Sequence, residues 1–455
     1  MDRQIVWALK STFIFLLVNF SAAYAQKELI TRMTVSHNKL SCAIHPSLKE
    51  AYLTDDFFVE YDEDINLEEM DYEVLSLPVV LNLFSLAWFS GEDYYVDSMD
   101  YDVYESLEKL KKMFKTFYPE CPWSGSIKPR KLVSLSQKFM KMRLESNSRA
   151  LLFSGGLDST SSFFEHRNED LLLITAWGQF DLPLSNKEGW QGRKESIIKF
   201  ASKYGKKNAF LRSNYSEIFN WSVVNHMYRT IDNWRMGTIE GLSWAGLILP
   251  ILISKKCPFM YLPSGNCWNY TYFDCIMIPH VEENIVFAGF RLITDQFEMT
   301  RFDKAKFIVD TCNKHNLERP FIKVCYLPNE NCGACRKCCM TMISLLALGE
   351  NLSEHGYTCC SEQVAIQNTL KFMDSQLSFF SAWNFKEMQI KIGKLVQNYP
   401  SRKALLEPFL NYDTSNLFVI DRRYCIKFNW SDIQHFAPLV KVPLNLSPEI
   451  LNIVV

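Results

Sequence analysis

The sequence predicts an α/β protein with a parallel sheet covered by helices on both faces, and three observations lead there. A short apolar run, Ala150 to Phe153, breaks at Ser154-Gly155-Gly156 and gives way to a helical segment, which reads as strand, glycine turn, helix. Past that turn, strand-length and helix-length segments keep alternating, the pattern of repeated β-α units. The chain has 455 residues and a hydrophobic share of 48%, long for one domain and ample for a sizeable core, so two or three domains are expected.

Taken in order, Met1-Asp2-Arg3, the apolar run Ser11 to Phe20 and Ala23-Tyr24-Ala25 imitate a secretory signal with its small-residue cleavage site, with Lys10 at odds with it. A true signal, a non-native extension before a start near Met33 and an amphipathic first helix all fit residues 1–32. A cytoplasmic protein is the expectation. Asp and Glu are dense from Asp55 to Glu108 with aromatic residues interleaved, and Leu75 to Trp88 is strongly hydrophobic, so residues 33–145 read as a folded acidic module. Its acidic face suits solvent, or a basic protein partner. No later stretch is expected to span a membrane: Leu242 to Ser254 is short, carries Pro250 and reads as a buried helix.

At the glycine turn, two glycines can take positive φ and let backbone amides close on a ligand, while the helix start adds unpaired N–H groups and the positive dipole end. Such a turn suits phosphate. No lysine stands where an ordinary P-loop needs one, and the plain alternative is a turn whose Asp158-Ser159 pair caps a helix. Leu171 to Ala176 follows as a strand, then a helix from Lys187 to Tyr204, a strand from Asn208 to Leu211, the helix Leu242 to Lys255 and a strand from Phe259 to Leu262. Ligands of such sheets bind at the carboxyl ends of the strands, where Trp177-Gly178-Gln179, Arg212-Ser213-Asn214 and Ser264-Gly265-Asn266 also fall. The helix Arg301 to His315 brings Arg301 and Lys304, cations able to neutralise phosphate oxygens.

Of the fourteen cysteines, Cys325, Cys332, Cys335 and Cys338 fall as C-x6-C-x2-C-x2-C, with Gly333 permitting a tight turn. Four soft ligands so close together suit tetrahedral, structural zinc ahead of a helix from Arg336 to Leu348. An iron–sulfur cluster and plain buried cysteines are the rivals. Cys339 is a spare, and the adjacent pairs Cys338-Cys339 and Cys359-Cys360 speak for a reducing compartment. The net charge of −2 and pI near 6.5 offer nucleic acid no global attraction.

SGGLDS at Ser154 to Ser159 resembles the pyrophosphate loop of the N-type ATP pyrophosphatases, and that loop followed by this cysteine spacing is similar to the 7-cyano-7-deazaguanine synthases. The resemblance spans about Arg149 to Gly349 and leaves out the N-terminal module and the tail, residues 350–455. It implies a Rossmann-like sheet of the adenine nucleotide alpha hydrolase type over residues 146–349. It further implies ATP phosphates on Ser154, Gly155, Gly156, Leu157, Ser159 and Thr160, and magnesium held with the help of Asp158. Gln179 resembles the glutamine of the synthases' Tyr-Gly-Gln, although Phe180 and Asp181 replace their basic residue. Asn214 stands where the superfamily receives adenosine, and Lys304 resembles a lysine preceding the cysteine tract, so Asp158, Lys304 and Arg301 become the catalytic candidates. The implied activity is an AMP- and pyrophosphate-forming ligase joining a small carboxylate to ammonia or an amine, with a homodimer left open. Sulfur transfer through Cys339, Cys359 or Cys360, and nucleotide sensing without turnover, are the alternatives.

Overall fold

The computed structural model describes residues 26–414, apart from 229–230, 232, 268–271, 274–275, 326, 328–329 and 376–378, together with 426–427. The signal-like residues 1–25 and most of the tail beyond residue 414 lie outside the described residues, but the expected extension 1–32 is corrected at its end, because Lys27–Glu28 and Ile30–Ser36 are strands paired into two sheets. The chain opens with β1 (Lys27–Glu28), β2 (Ile30–Ser36), β3 (Lys39–Ile44), α1 (Pro46–Tyr52) and β4 (Phe57–Tyr61). Then come α2 (Tyr72–Ser90), β5 (Asp93–Asp100), α3 (Tyr101–Phe117), β6 (Ser126–Val133) and α4 (Ser136–Glu145). The expected alternation follows as β7 (Arg149–Leu152), α5 (Leu157–His166), β8 (Leu171–Trp177), α6 (Lys187–Lys203), β9 (Lys207–Ser213), α7 (Leu242–Ser254) and β10 (Phe259–Pro263). After β11 (Val286–Phe287) and β12 (Phe290–Asp295) come helices as far as Leu410: α8 (Arg301–His315), α9 (Arg336–Leu348), α10 (Glu362–Asp374), α11 (Phe379–Val396) and α12 (Pro400–Leu410).

One sheet of nine strands runs in the order β11-β12-β10-β7-β8-β9-β4-β3-β2. Its centre, β12-β10-β7-β8-β9, is parallel throughout. β8 is buried at six of its seven positions, which is why LLLITAW reads apolar without alternation. Successive side chains still point to opposite faces: Leu172, Ile174 and Ala176 enter a core shared with α2 and α7, and Leu171 and Leu173 enter a second core shared with α5, α6, α8 and α9. The fold is therefore α/β with helices on both faces. β1, β5 and β6 form a smaller parallel sheet beside it.

Two further expectations need correction. Residues 33–145 are not a module apart, because β4 pairs antiparallel with β9 through Val59↔Ser213, Glu60↔Arg212 and Tyr61↔Leu211, and β3 and β2 extend the same sheet. Phe57, Val59 and Tyr61 are buried in the first core, and the pairing covers an edge of β9 that would otherwise stand open. Leu242 to Ser254 is the buried helix expected, but among the described residues another stretch comes nearer to a membrane span. The 19-residue α2 is long and apolar enough to cross a membrane by length and composition, yet 83% of its most apolar window is buried inside the protein, so it serves as the core helix packed on α7.

Candidate functional site

The turn after β7 is held open by its own hydroxyls. Gly155 takes φ +74°, and Lys323 donates its N–H to the Gly155 carbonyl at 2.8 Å, so the chain segment before the cysteine tract runs alongside the turn. Gly156, expected to share the positive φ, instead stands extended at φ −77° as the N-cap of α5. The Ser159 hydroxyl receives the Ser154 N–H at 3.3 Å and donates to the Gly156 carbonyl at 3.2 Å. The first-turn N–H groups of α5 have no intrahelical acceptor and face the turn.

Around this turn lies a cavity of about 70 Å³ lined by Ser154, Gly156, Leu157, Asp158 and Ser159. Four cations, Arg193, Arg301, Lys323 and Lys337, meet two carboxylates there, Asp158 and Asp181. Arg301 Nη1 donates to Asp158 Oδ2 at 2.7 Å, and Lys304 Nζ lies 3.4 Å from Asp158 Oδ1 while also donating to the Ser264 carbonyl. Burial alone would raise the Asp158 carboxyl, but Arg301 and then Lys304 outweigh it and hold the group below 3.8. Arg193, with a side chain only 5% exposed, gives Nη2 to Asp181 Oδ2 at 3.1 Å and leaves Nε and Nη1 without partners. Arg301 Nε is likewise unmatched. Buried guanidinium N–H groups left open beside a helix N-terminus suit an anion.

Ser154, Arg193 and Lys323 also line a larger chamber of about 750 Å³ between α6 and the Glu318–Lys323 segment, with an aromatic floor of Phe153, Phe200 and Tyr204. The two cavities therefore share three wall residues, and the larger has room for a nucleotide-sized ligand.

Not every candidate reaches these cavities. Thr160 is fully buried, its hydroxyl turned into the helix packing and without a partner. Gln179 folds back to donate to the Ala176 carbonyl at 2.8 Å and lines neither cavity. Asn214 is corrected outright: its Oδ1 accepts from Phe58 N at 2.9 Å and its Nδ2 donates to the Asp56 carbonyl at 2.7 Å, so the amide is spent fastening β4 to the end of β9. Ser264 and Asn266 are buried and bond one another and the Met277 carbonyl. Arg193, Lys323, Lys337 and Asp181 are the residues that sequence reasoning missed. Only the glycine turn hinted at them, since an anion-binding turn implies cations from somewhere.

The cysteine tract packs against the same turn. Ligand atoms of Cys325, Cys332, Cys335 and Cys338 all lie within 4.8 Å of one another. Cys332 and Cys338 are 3.9 Å apart at sulfur, as are Cys325 and Cys335. A tetrahedron with metal–sulfur bonds of about 2.3 Å has edges of about 3.8 Å, so the four could hold a metal such as zinc. Backbone N–H groups of Leu327 and Cys332 point at Cys325 Sγ at 3.3 and 3.4 Å, and those of Ala334 and Cys335 at Cys332 Sγ at 3.4 and 3.3 Å, offsetting thiolate charge. The Cys335 thiol is drawn down to about 5, foremost by the hydrogen bond it receives from Cys338. Cys335 caps α9, whose first turn carries Lys337 into the small cavity, so the tract positions one wall of the site. Cys339 is buried and its thiol is pushed up to about 12, which suits packing better than reactivity.

No protein-family model, curated protein or solved structure matches the chain.

Proposed function

We propose that the chain is an ATP-dependent ligase of the pyrophosphatase-loop type, similar to the 7-cyano-7-deazaguanine synthases, on a Rossmann-like sheet. The observation that carries this reading is the SGGLDS turn at the carboxyl end of a central parallel strand, met by Arg193, Arg301, Lys323 and Lys337. ATP is a substrate here. Its β and γ phosphates would rest on the turn and the α5 N-terminus, and the rest of the nucleotide and the acid would share the larger chamber. A substrate carboxylate then attacks the α phosphorus, pyrophosphate departs, and ammonia or an amine displaces AMP to leave an amide. Arg193 and Arg301 carry the charge that gathers on the departing pyrophosphate, and Lys304 holds Asp158 and the Ser264 backbone in place behind them. Position and charge supply the catalysis, so no side-chain nucleophile is required.

Asp158 and Asp181 are both engaged by cations, so they fit poorly as a protein cage for magnesium. The ion is expected to arrive on the triphosphate, where it offsets phosphate charge. Zinc is the metal we assign to the four thiols, in a closed structural role. The test is incubation with ATP labelled at the α phosphorus, magnesium, ammonium and a panel of carboxylic acids including 7-carboxy-7-deazaguanine, beside Asp158→Ala. AMP that forms only with one acid, and not with the variant, supports the ligase. Millimolar ATP that neither binds by calorimetry nor yields AMP overturns it.

A further inference from the structure

A closed site of four thiolates raises the question of how it is filled. Cys325 and Cys338 are only 3% and 0% exposed, and Cys332 and Cys335 sit half-buried at the rim. Above that rim lies the turn between Tyr357 and Ser361, which carries a second pair of thiols. Cys359 is exposed and Cys360 half-buried, both are free, and their sulfurs are 3.5 Å apart. Two sulfurs at that spacing can bind one ion at bond lengths of about 2.3 Å.

The pair is fastened to the tract. Cys359 Sγ stands 3.4 Å from the carbonyl oxygen of Asn331, the residue before Cys332, and the Asn331 side chain in turn receives the N–H groups of Val324 and Cys325. Gly333, at φ +67°, lies between Cys332 and Cys335, and a Cβ there would meet Cys360 Sγ at 2.2 Å and Cys359 Sγ at 3.7 Å. Glycine at this position lets the second pair of sulfurs come down onto the rim. Six thiols therefore form a gradient from exposed Cys359 through half-buried Cys360, Cys332 and Cys335 to buried Cys325 and Cys338.

We propose that Cys359 and Cys360 are the loading port of the four-cysteine site, a dithiol that captures an incoming soft divalent ion such as zinc and passes it to Cys332. This rests on the zinc reading of the tract. Each step is a ligand exchange without change of oxidation state. The Cys359 and Cys360 thiols give their protons to water as their sulfurs bind the ion. Cys332, then Cys335, Cys325 and Cys338 lose protons as their sulfurs bind in turn. The bonds to Cys359 and Cys360 break, and both sulfurs take protons back from water. An exchange in which each new bond forms before an old one breaks never exposes the ion to full hydration.

The experiment uses the full chain, stripped of metal by a chelator under reducing conditions, and follows zinc uptake by stopped flow with a chromophoric zinc dye. The double variant Cys359→Ser/Cys360→Ser is expected to load about tenfold more slowly. It should still reach one zinc per chain with unchanged affinity, and surrender zinc to chelator more slowly by the same factor, because a catalysed route works in both directions. Cys339→Ser, in the buried spare, should load like the wild type. Slowing of less than threefold overturns the port, and an affinity that falls with the rate overturns it in favour of Cys359 or Cys360 as ligands of the final site. Should the double variant misfold by near-ultraviolet circular dichroism, Cys359→Ser at its exposed position decides on the same threefold criterion. A wild type that retains no zinc fails before any variant is compared, and overturns the zinc reading itself.

Discussion

The glycine turn and the cysteine tract lie against each other and satisfy their polar groups in opposite ways. Around the turn, valences are left unmet: Arg193 Nε and Nη1 and Arg301 Nε are buried without partners. In the tract, each thiol has the others within 4.8 Å, and backbone N–H groups already point at the sulfurs. On the proposed reading the first accepts an anion that comes and goes, and the second closes once around an ion that stays. The difference teaches that incomplete hydrogen bonding marks a place of exchange, while mutual satisfaction marks a place of assembly.

The sharpest break would come from Cys338→Ala. Bound metal should fall to zero by elemental analysis and the melting temperature by roughly 10 °C, because the metal's binding energy is folding energy for the segment that carries Lys337. Retention of metal would mean that the four thiols do not act together. Arg193→Ala should weaken pyrophosphate binding by about 10- to 100-fold in calorimetry, the worth of one or two charge-assisted hydrogen bonds, with metal content unchanged. Loss of metal in that variant would erase the distinction between the two regions.

Acid should separate them further. The Asp158 carboxyl is depressed in the folded protein, so its contribution to stability is complete above the unfolded value near 3.8 and is lost as pH falls through the lower folded value. Zinc held by thiolates meets competition from protons well above that range. Titrated downward, the protein should release metal first, and the stability advantage of the wild type over Asp158→Asn should fade only below about pH 4. The reverse order would count against the ion pairs at Asp158. The smallest effect is expected from Asn214→Ala, which should cost about 1–2 kcal/mol in denaturant melts for two lost hydrogen bonds and leave pyrophosphate affinity untouched.

Local features of the sequence were legible because local physics determines them. Helices α8 and α9 begin and end where the Thr300 cap, the cysteine spacing and Gly349 place them, and the apolar run of β8 was readable because both its faces are covered. The turn was legible from its glycines and hydroxyls, and the four-thiol cluster from spacing alone. What stayed hidden depends on distant pairing. Nothing in FFVEY, set in an acidic stretch, announces β9 as its partner, and Asn214 changes meaning once Phe58 and Asp56 are beside it. Arg193 lies on an ordinary helix and becomes a site residue only because α6 lays it against Asp181 and the turn.

The seam between β4 and β9 has a consequence for the order of events in synthesis. Phe58 and Ser213, joined there by a hydrogen bond of 2.6 Å, are 155 residues apart in the chain. A chain growing from its amino terminus makes the β2-β3-β4 segment early but cannot pair its last strand until β9 has left the ribosome. Closing so long a loop is slow, because its entropy cost precedes any reward from contacts. The earliest strands must therefore wait, and the acidic residues that surround them, Asp55, Asp56, Asp62, Glu63 and Asp64, give that waiting segment the charge that keeps an unpaired edge from finding another copy of itself.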